Sequence, residues 1–543
     1  MIIPRPTELT VRPGRFLVGP TVRLAAGPGT ARAVGLLAGL LGTDRLRLTG
    51  PGASPEVLLQ LHDGERELGP QGYTLSIGPD RVVLTAAAEQ GLLHGVQTLR
   101  QLLPPEALDL PTAPPEAWWW PCADIRDTPL LPWRGLLLDV ARHFQPLDYL
   151  YRLVDQLALH KLNVLQLHLT DDQGWRIEIE GLPRLTGVGA WRSESMVGRA
   201  GSGRWDGVPH GGYYTRRELE DLVAFAAARG VRVLPEIELP GHVRAALAAY
   251  PQLGNRPDNR LPVWTSWGIS PDILGVHDQA LDFCRQVLSE TMDIFPDRYL
   301  HIGGDECPVD QWRSSPEARA RAAALGLDDP AQLHGWFLRQ MYDHVAANGR
   351  RAVCWDESGH AAGPLPSGMV LTAWRDPEHG MRSVARGHQV VMAPHLSTYF
   401  DYPETLDGHS SHASDAGLDG GGGTAEWVTT LADVHSFDPL AGGLPVVDFD
   451  SGDGPGVLGT QAQLWTELAS GPAQVEALLY PRLCALAEVA WSTGRGPGSR
   501  DFADFRSRLR LHEQRLAALG VRVTGSSHAA CEQSRRTVGT IDA

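Results

Sequence analysis

The sequence is nearly devoid of lysine: Lys161 is the single one among 48 basic residues, and all the others are arginine. So uniform a preference reads as a coding bias rather than as chemistry. Cysteine is sparse as well. Six are scattered along the chain (Cys122, Cys284, Cys307, Cys354, Cys484, Cys531) with no CxxC pair, so neither a zinc site nor a disulfide framework is indicated. No metal and no other cofactor is expected. Long apolar runs are missing, which excludes a membrane-spanning helix. The opening MIIPRPTELTVRPGRF has no basic segment followed by an apolar one. A cytoplasmic location is expected on that basis, or a secreted one if a leader has been removed. Positive charge is in deficit. A net charge of −16 excludes nucleic acid and anionic membrane as natural partners, while leaving neutral ligands open.

What is present is enough for a large core. Apolar residues make up 43% of 543, a length that suggests two to four domains unless an α/β barrel takes most of it. The first part mixes both periodicities. Thr30–Gly42 and Glu89–Leu103 repeat like helices, the stretch EVLLQLH (56–62) like a strand, and Gly72–Ala86 like a hairpin turning at Gly78-Pro79-Asp80. A Pro-rich stretch, Pro104–Pro121, marks the boundary, giving a small α+β domain over 1–122.

Beyond it the texture changes. Eight apolar runs, at 135–140, 163–169, 231–239, 298–304, 352–357, 369–374, 389–394 and 457–465, alternate with helical segments. Buried parallel strands read as continuous apolar runs, so eight of them predict a (β/α)8 barrel over 123–525, with 526–543 as a tail. Helices at 474–491 and 501–520 would close the ring, and the Gly/Asp/Ser-rich 407–427 reads as a long surface loop. In such barrels the active site lies at the C-terminal ends of the strands. The runs here end in Arg142-His143; His168 with Asp171-Asp172; Glu238 with His242; Asp305-Glu306; Trp355-Asp356-Glu357; Trp374; Tyr399 with Asp401; and Trp465 with Glu467.

Carboxylates, three histidines, one arginine and many indoles suit a carbohydrate. A pyranose stacks its apolar faces on aromatic rings and offers hydroxyls to Arg and carboxylate. Tryptophan is plentiful, 16 against 11 Tyr and 11 Phe. Glycoside cleavage needs an acid to protonate the leaving oxygen and a group to stabilise the cationic sugar. Asp305 and Glu306 are candidates for both. Adjacent strand residues face opposite ways, so the backbone has to bend for the pair to cooperate; Gly303 and Gly304 allow it. Two rival readings use the same residues. A metal-dependent barrel hydrolase would employ His168, Asp171, His242 and Asp305, although no HxH pair ends the first strand. A non-enzymatic sugar-binding protein would not require both Asp305 and Glu306.

The motif HIGGDE (301–306) resembles the signature of the β-N-acetylhexosaminidases of glycoside hydrolase family 20. So do WRGLLLDVARHF (133–144), KLNVLQLHLTDDQGWR (161–176), VLPEIELPGH (233–242), LWTE (464–467) and YPRLCALAEVAWS (480–492), in that order. The N-terminal α+β domain resembles the non-catalytic domain that precedes these barrels. The resemblance implies exo-cleavage of terminal β-linked GlcNAc or GalNAc with retention, the substrate's own 2-acetamido oxygen attacking the anomeric carbon to give an oxazolinium ion. A disaccharide-releasing enzyme of the same family is the alternative. By motif position Glu306 resembles the general acid/base and Asp305 the group that orients the acetamide. His242 and Asp171 resemble the pair behind the acid, and Tyr399 the hydroxyl donor to the acetamide oxygen. Arg142 and Glu467 resemble the grip on the sugar's 3- and 4-hydroxyls, and Asp401 a contact near the 6-hydroxyl. Trp355, Trp374 and Trp465 resemble the walls around the acetamide methyl, with Trp427 a further one. The stretches 195–212 and 255–275 are long for the pattern and are expected to form rim loops that set aglycone preference. The implied partner is a carbohydrate, such as a chitin oligosaccharide or another β-linked amino-sugar glycan.

Overall fold

A computed structural model of the chain describes residues 2–42, 45–49, 55–108, 118–357, 365–404, 427–449, 454–492 and 500–523. The expected tail at 526–543 and nearly all of the 407–427 loop lie outside them.

The N-terminal part is a seven-stranded mixed sheet. Its strand order is Glu8–Leu17, Trp119–Asp127, Tyr73–Ile77, Val82–Ala86, Val57–Leu61, Val22–Ala26, Leu46–Leu48. The hairpin expected at 72–86 is there, with Gly78 N–H donating to Arg81 C=O at 2.8 Å across its turn. Helices Ala31–Leu41 and Glu89–Leu102 bury Leu37, Leu92, Val96 and Leu99 in the core of this domain. The sheet does not end at residue 122. The strand Trp119–Asp127 pairs with both Glu8–Leu17 and Tyr73–Ile77, so it runs five residues past the expected boundary.

Its last residue, Asp127, fastens the two domains. The Lys161 ammonium lies 2.7 Å from the Asp127 carboxylate, and both side chains are fully buried. Tyr73 O–H and Trp491 N–H also donate to that carboxylate, each at 2.8 Å. The one lysine of the chain is therefore a structural counter-ion, a placement that composition alone does not suggest.

The eight apolar runs form one closed parallel barrel. We number its strands β1 (Trp133–Asp139), β2 (Val164–His168), β3 (Arg232–Leu239), β4 (Tyr299–Gly303), β5 (Arg351–Trp355), β6 (Val370–Ala373), β7 (Gln389–Met392) and β8 (Gly456–Leu464). They pair in sequence order, and β8 closes on β1. The helical segment expected at 474–491 is two helices, Pro472–Leu479 and Arg482–Trp491. Pro481, which lacks an N–H, sits at the break. Phe502–Ala518 follows as one helix.

Side chains alternate in and out along each strand, and the inward ones make layers. The bottom layer is apolar: Trp133, Val164, Leu234, Tyr299, Val353, Val370, Val391 and Leu458 pack around Phe449. Two residues further along the strands the interior turns polar. Gln461 donates to Gln166 at 2.8 Å, and Gln166 to Glu236 at 2.9 Å. Above that layer the strands end, and the charged groups begin.

Candidate active site

At the end of β4 the inward positions are Tyr299, His301 and Gly303. By that parity Asp305 points inward and Glu306 outward. The backbone overrides the parity. Gly303 and Gly304 have φ of 65° and 100°, and Glu306 itself has φ of 43°. A left-handed residue with a side chain is uncommon and costs energy that the surroundings must offset. Among the described residues, three non-glycines adopt it: Lys161, His242 and Glu306. Two of these belong to this site. Glycine is required at 303 for a second reason: a Cβ there would lie 2.0 Å from Glu238 Oε2.

The bend brings both carboxylates to one imidazole. His242 Nε2 lies 3.5 Å from Glu306 Oε2 and 3.8 Å from Asp305 Oδ2. The other ring nitrogen, Nδ1, sits 3.2 Å from Asp171 and 3.3 Å from Asp172. Burial opposes a charge on His242, but Asp171, Asp172 and Glu306 together outweigh it and raise its pKa well above the usual imidazole value. Burial would likewise neutralise Asp171. Arg142 and His242, with a bond from His168, reverse this and hold it well below the carboxylate range. Asp305 stands the other way: burial raises its pKa against the pull of His242, and Glu306 and Glu236 push in the same direction.

A second imidazole lies beneath. His168 bridges Asp171 at 2.7 Å and Glu236 at 2.9 Å. Burial lowers its pKa, but Glu236 and Asp171 hold it up, to about 10. Glu236 also accepts from Trp355 N–H at 2.8 Å and lies 3.1 Å from His301 Nδ1. Several triads of His and carboxylate oxygens here fall within metal-chelating distance of one another. The surrounding carboxylates favour the protonated, donating form of His168 and His242, which competes with ligation, since a metal needs the neutral imidazole lone pair.

Arg142 arises from the turn after β1. Asp139 builds that turn by accepting from Ala141 N–H at 2.8 Å and Arg142 N–H at 3.0 Å. The guanidinium pairs with Asp171 at 2.9 Å, lies 3.7 Å from Glu467 and stacks over Trp465 with 5.0 Å to the ring centre. The aromatic wall consists of Trp355, Trp374, Tyr399 and Tyr402, with Trp427 and Trp465 against them. Trp374 stacks on Tyr399, and Trp355 tilts against Trp465 with 5.9 Å between ring centres. Two indoles are pinned by carboxylates, Trp355 by Glu236 and Trp374 by Glu357 at 3.1 Å. Asp401 is nearly enclosed, with one buried oxygen that meets no donor. Its pKa is raised well above normal by burial, reinforced by Glu467.

One cavity collects these groups. It is lined by Arg142, Asp171, His242, Asp305, Glu306, Trp355, Trp374, Tyr399, Asp401, Trp465 and Glu467. Eleven of the twelve residues expected from sequence therefore share it. Trp427 is the exception: it packs on Tyr402 and His395 and is not part of the lining. Both expected rim loops contribute, through Gly198–Ala200 and Trp267–Ile269. They are joined where Met196 N–H donates to Thr265 C=O at 2.8 Å. The supporting residues Asp139, Glu236 and His301 were not foreseen. The signal was present, since Glu236 and His301 each lie an even number of positions before a residue at the mouth.

Comparison with known proteins agrees with this geometry. The family described as "Glycosyl hydrolase family 20, catalytic domain" matches residues 131–494, and "Glycosyl hydrolase family 20, domain 2" matches residues 1–128. A β-N-acetylhexosaminidase of Cellulomonas fimi is 32% identical over 529 residues, covering 94% of this chain and 93% of its own. A β-hexosaminidase of Porphyromonas gingivalis is 33% identical over 528 residues; this chain spans 62% of that relative's length. The crystal structure of a GH20 exo β-N-acetylglucosaminidase from Vibrio harveyi, in complex with N-acetylglucosamine, superposes with a TM-score of 0.79 at 29% identity. It covers 96% of this chain and 77% of that one. The chain belongs to glycosyl hydrolase family 20.

Proposed function

We propose that the chain is an exo-acting, retaining β-N-acetylhexosaminidase that releases terminal GlcNAc or GalNAc through attack by the substrate's own acetamide oxygen. The observation that carries this reading is the convergence of Asp305 and Glu306 on His242 Nε2 inside an aromatic-walled cavity. Acid and stabiliser then act from adjacent positions on one sugar. A two-carboxylate scheme instead sets them on opposite faces of the scissile bond.

Each group has a part. Glu306 protonates the leaving oxygen and later takes a proton from water, and the His242–Asp171 pair holds it in place. Asp305 accepts from the acetamide N–H and stabilises the charge that develops as the ring closes. Attack within the substrate gains from proximity only when the acetamide is folded beneath the sugar. Trp355, Trp374 and Trp465 enclose its methyl group, and the Tyr399 hydroxyl donates to its oxygen. Arg142 and Glu467 grip the 3- and 4-hydroxyls, with Asp401 near the 6-hydroxyl. That grip favours release of one sugar over release of a disaccharide. The similarity to a structure solved with N-acetylglucosamine supports the choice of sugar.

A thiazoline that mimics the oxazoline is the test. It is expected to inhibit the wild type strongly and Asp305→Ala weakly. Equal inhibition of both would remove Asp305 from its part, and trapping of a sugar covalently bound to a side chain would overturn the mechanism.

A further inference from the structure

One carboxyl next to the reacting pair has no part in this scheme. Glu238 is the penultimate residue of β3, shares the inward parity of Leu234 and Glu236, and is only 1% exposed. Its Oε1 is weakly served: Trp355 N–H is 3.4 Å away and His168 Nδ1 is 3.7 Å away. Trp355 N–H already donates to Glu236 at 2.8 Å, and His168 Nδ1 lies nearer to Glu236, at 2.9 Å. Its Oε2 is buried over Gly303 and meets no donor.

Asp305 has the matching defect. Its Oδ1 is also buried with no donor, while Oδ2 faces His242. The two carboxyls lie within hydrogen-bonding reach of each other. If both were ionised, each would offer only lone pairs to the other, and two like charges would share a low-dielectric site. One proton between them changes that. It satisfies both orphaned oxygens and converts repulsion into a charge-assisted O–H···O bond.

Which of the two keeps the proton follows from their surroundings. Asp305 is the more exposed, at 15% of its side chain, and has the His242 cation beside it. Glu238 is sealed and faces Asp305, Glu236 and Asp171 as well as His242, so burial and those anions raise its pKa well above the usual value. We propose that Glu238 is a positioning residue: it stays protonated at working pH and donates to Asp305, fixing one oxygen of that carboxylate so that the other is aimed at the substrate's acetamide. This rests on the function proposed above, in which Asp305 orients that group as an anion. A buried carboxylate without such a donor would take up a proton of its own and lose that capacity.

The test compares Glu238→Gln with Glu238→Met in the full chain, on an aryl β-N-acetylglucosaminide across pH. Met removes the donor and frees Asp305 to rotate, so kcat is expected to fall about 100-fold, the usual cost of a misplaced reacting group. Gln keeps a permanent donor and is expected to recover most of that loss. The alkaline limb of the kcat/KM profile separates this from a merely structural role. Gln for a neutral carboxyl leaves the local charge as it was, and the limb stays in place. Gln for an ionised carboxylate removes a negative charge, and the limb moves to lower pH by about one unit or more; that shift would overturn the proposal. Infrared spectroscopy gives a reading independent of any change at 238. Wild type at pH 8 is expected to show a protonated-carboxyl C=O band that moves in Asp305→Asn, and absence of any moving band would also overturn it. The thiazoline separates the two readings. A wild type that it does not inhibit defeats the proposed function, whereas an inhibited wild type with a shifted limb in Glu238→Gln defeats only the part given to Glu238.

Discussion

Replacing Lys161 with methionine keeps most of the side chain's length and removes its charge from the domain junction. The ammonium is fully buried, 2.7 Å from Asp127 and 2.9 Å from the Tyr73 hydroxyl. Breaking one side of a buried pair costs about 3–5 kcal/mol, because the remaining charge is left without its partner. Asp127 does not lose everything. Tyr73, Trp491 and the Thr7 N–H still donate to it, and Arg134 lies on the face of Trp491, 4.9 Å from the ring centre. The lower end, about 3 kcal/mol, is therefore expected. The melting shift reports how the chain unfolds. If all 543 residues melt together, the unfolding entropy makes it only about 3 °C. If the N-terminal domain melts alone, its smaller entropy makes the same loss about 10 °C, with a separate transition. Differential scanning calorimetry distinguishes the two. Adding Asp127→Asn to Lys161→Met removes the stranded charge and should restore part of the loss. A single variant that melts with the wild type, or a double variant less stable than the single one, would refute the reasoning.

Two further outcomes concern the site. Glu306→Gln should lower kcat/KM by about 10²–10⁴ on a β-linked disaccharide, the range for general acid catalysis, and far less on an aryl glycoside whose leaving group needs no proton. Steady-state kinetics on the two substrates decides it, and equal losses would remove Glu306 from the acid's part. Glu357 links pH to stability. Burial raises its pKa to about 7 although Arg375 opposes this, so its contribution is intact below its usual 4.5 and is lost as pH rises through 7. Wild type should therefore lose up to about 3 kcal/mol relative to Glu357→Gln between those two values and no more above them. Denaturant unfolding from pH 4 to 8 would contradict this if the difference stayed flat.

The barrel could be read from sequence because parallel strands covered on both faces are mostly apolar rather than alternating, and each of the eight runs is. The mouth could be read because polar residues at the end of such a run stand out. The layer beneath could not. Glu236, His301, Gln166 and Gln461 sit inside the runs, where a lone polar residue looks like a tolerated core position, and only barrel closure reveals that they face one another. The boundary at 122 failed for a similar reason. Prolines mark where the chain leaves regular structure, but the sheet to which Trp119–Asp127 belongs is settled by pairing with Glu8–Leu17, more than a hundred residues earlier. Trp427 has the right residue type in the right order, yet its ring is held against Tyr402 and His395, a contact that no local spacing encodes.

The mouth of the barrel contains more acids than it can keep ionised. Arg142, His168 and His242 face Asp139, Asp171, Asp172, Glu236, Glu238, Asp305, Glu306 and Glu467, in a place where water screens little. Position decides which acids stay charged. Asp171 and Glu236 each touch two cationic or donating rings or a guanidinium, and both are driven well below the carboxylate range against the effect of burial. Glu238 meets the His168 cation only at 3.7 Å, and burial drives both Glu238 and Asp401 well above that range. The first pair forms a fixed framework of ions that holds Arg142 and His242 still. In the second pair burial favours the neutral carboxyl, which can donate as well as accept. A sugar is a ligand of hydroxyls and one amide, each needing a partner of either polarity, and a cavity lined only by anions would leave half of those needs unmet. The excess of acids over bases is thus what lets a site built almost wholly from carboxylates and indoles offer both donors and acceptors to a neutral substrate.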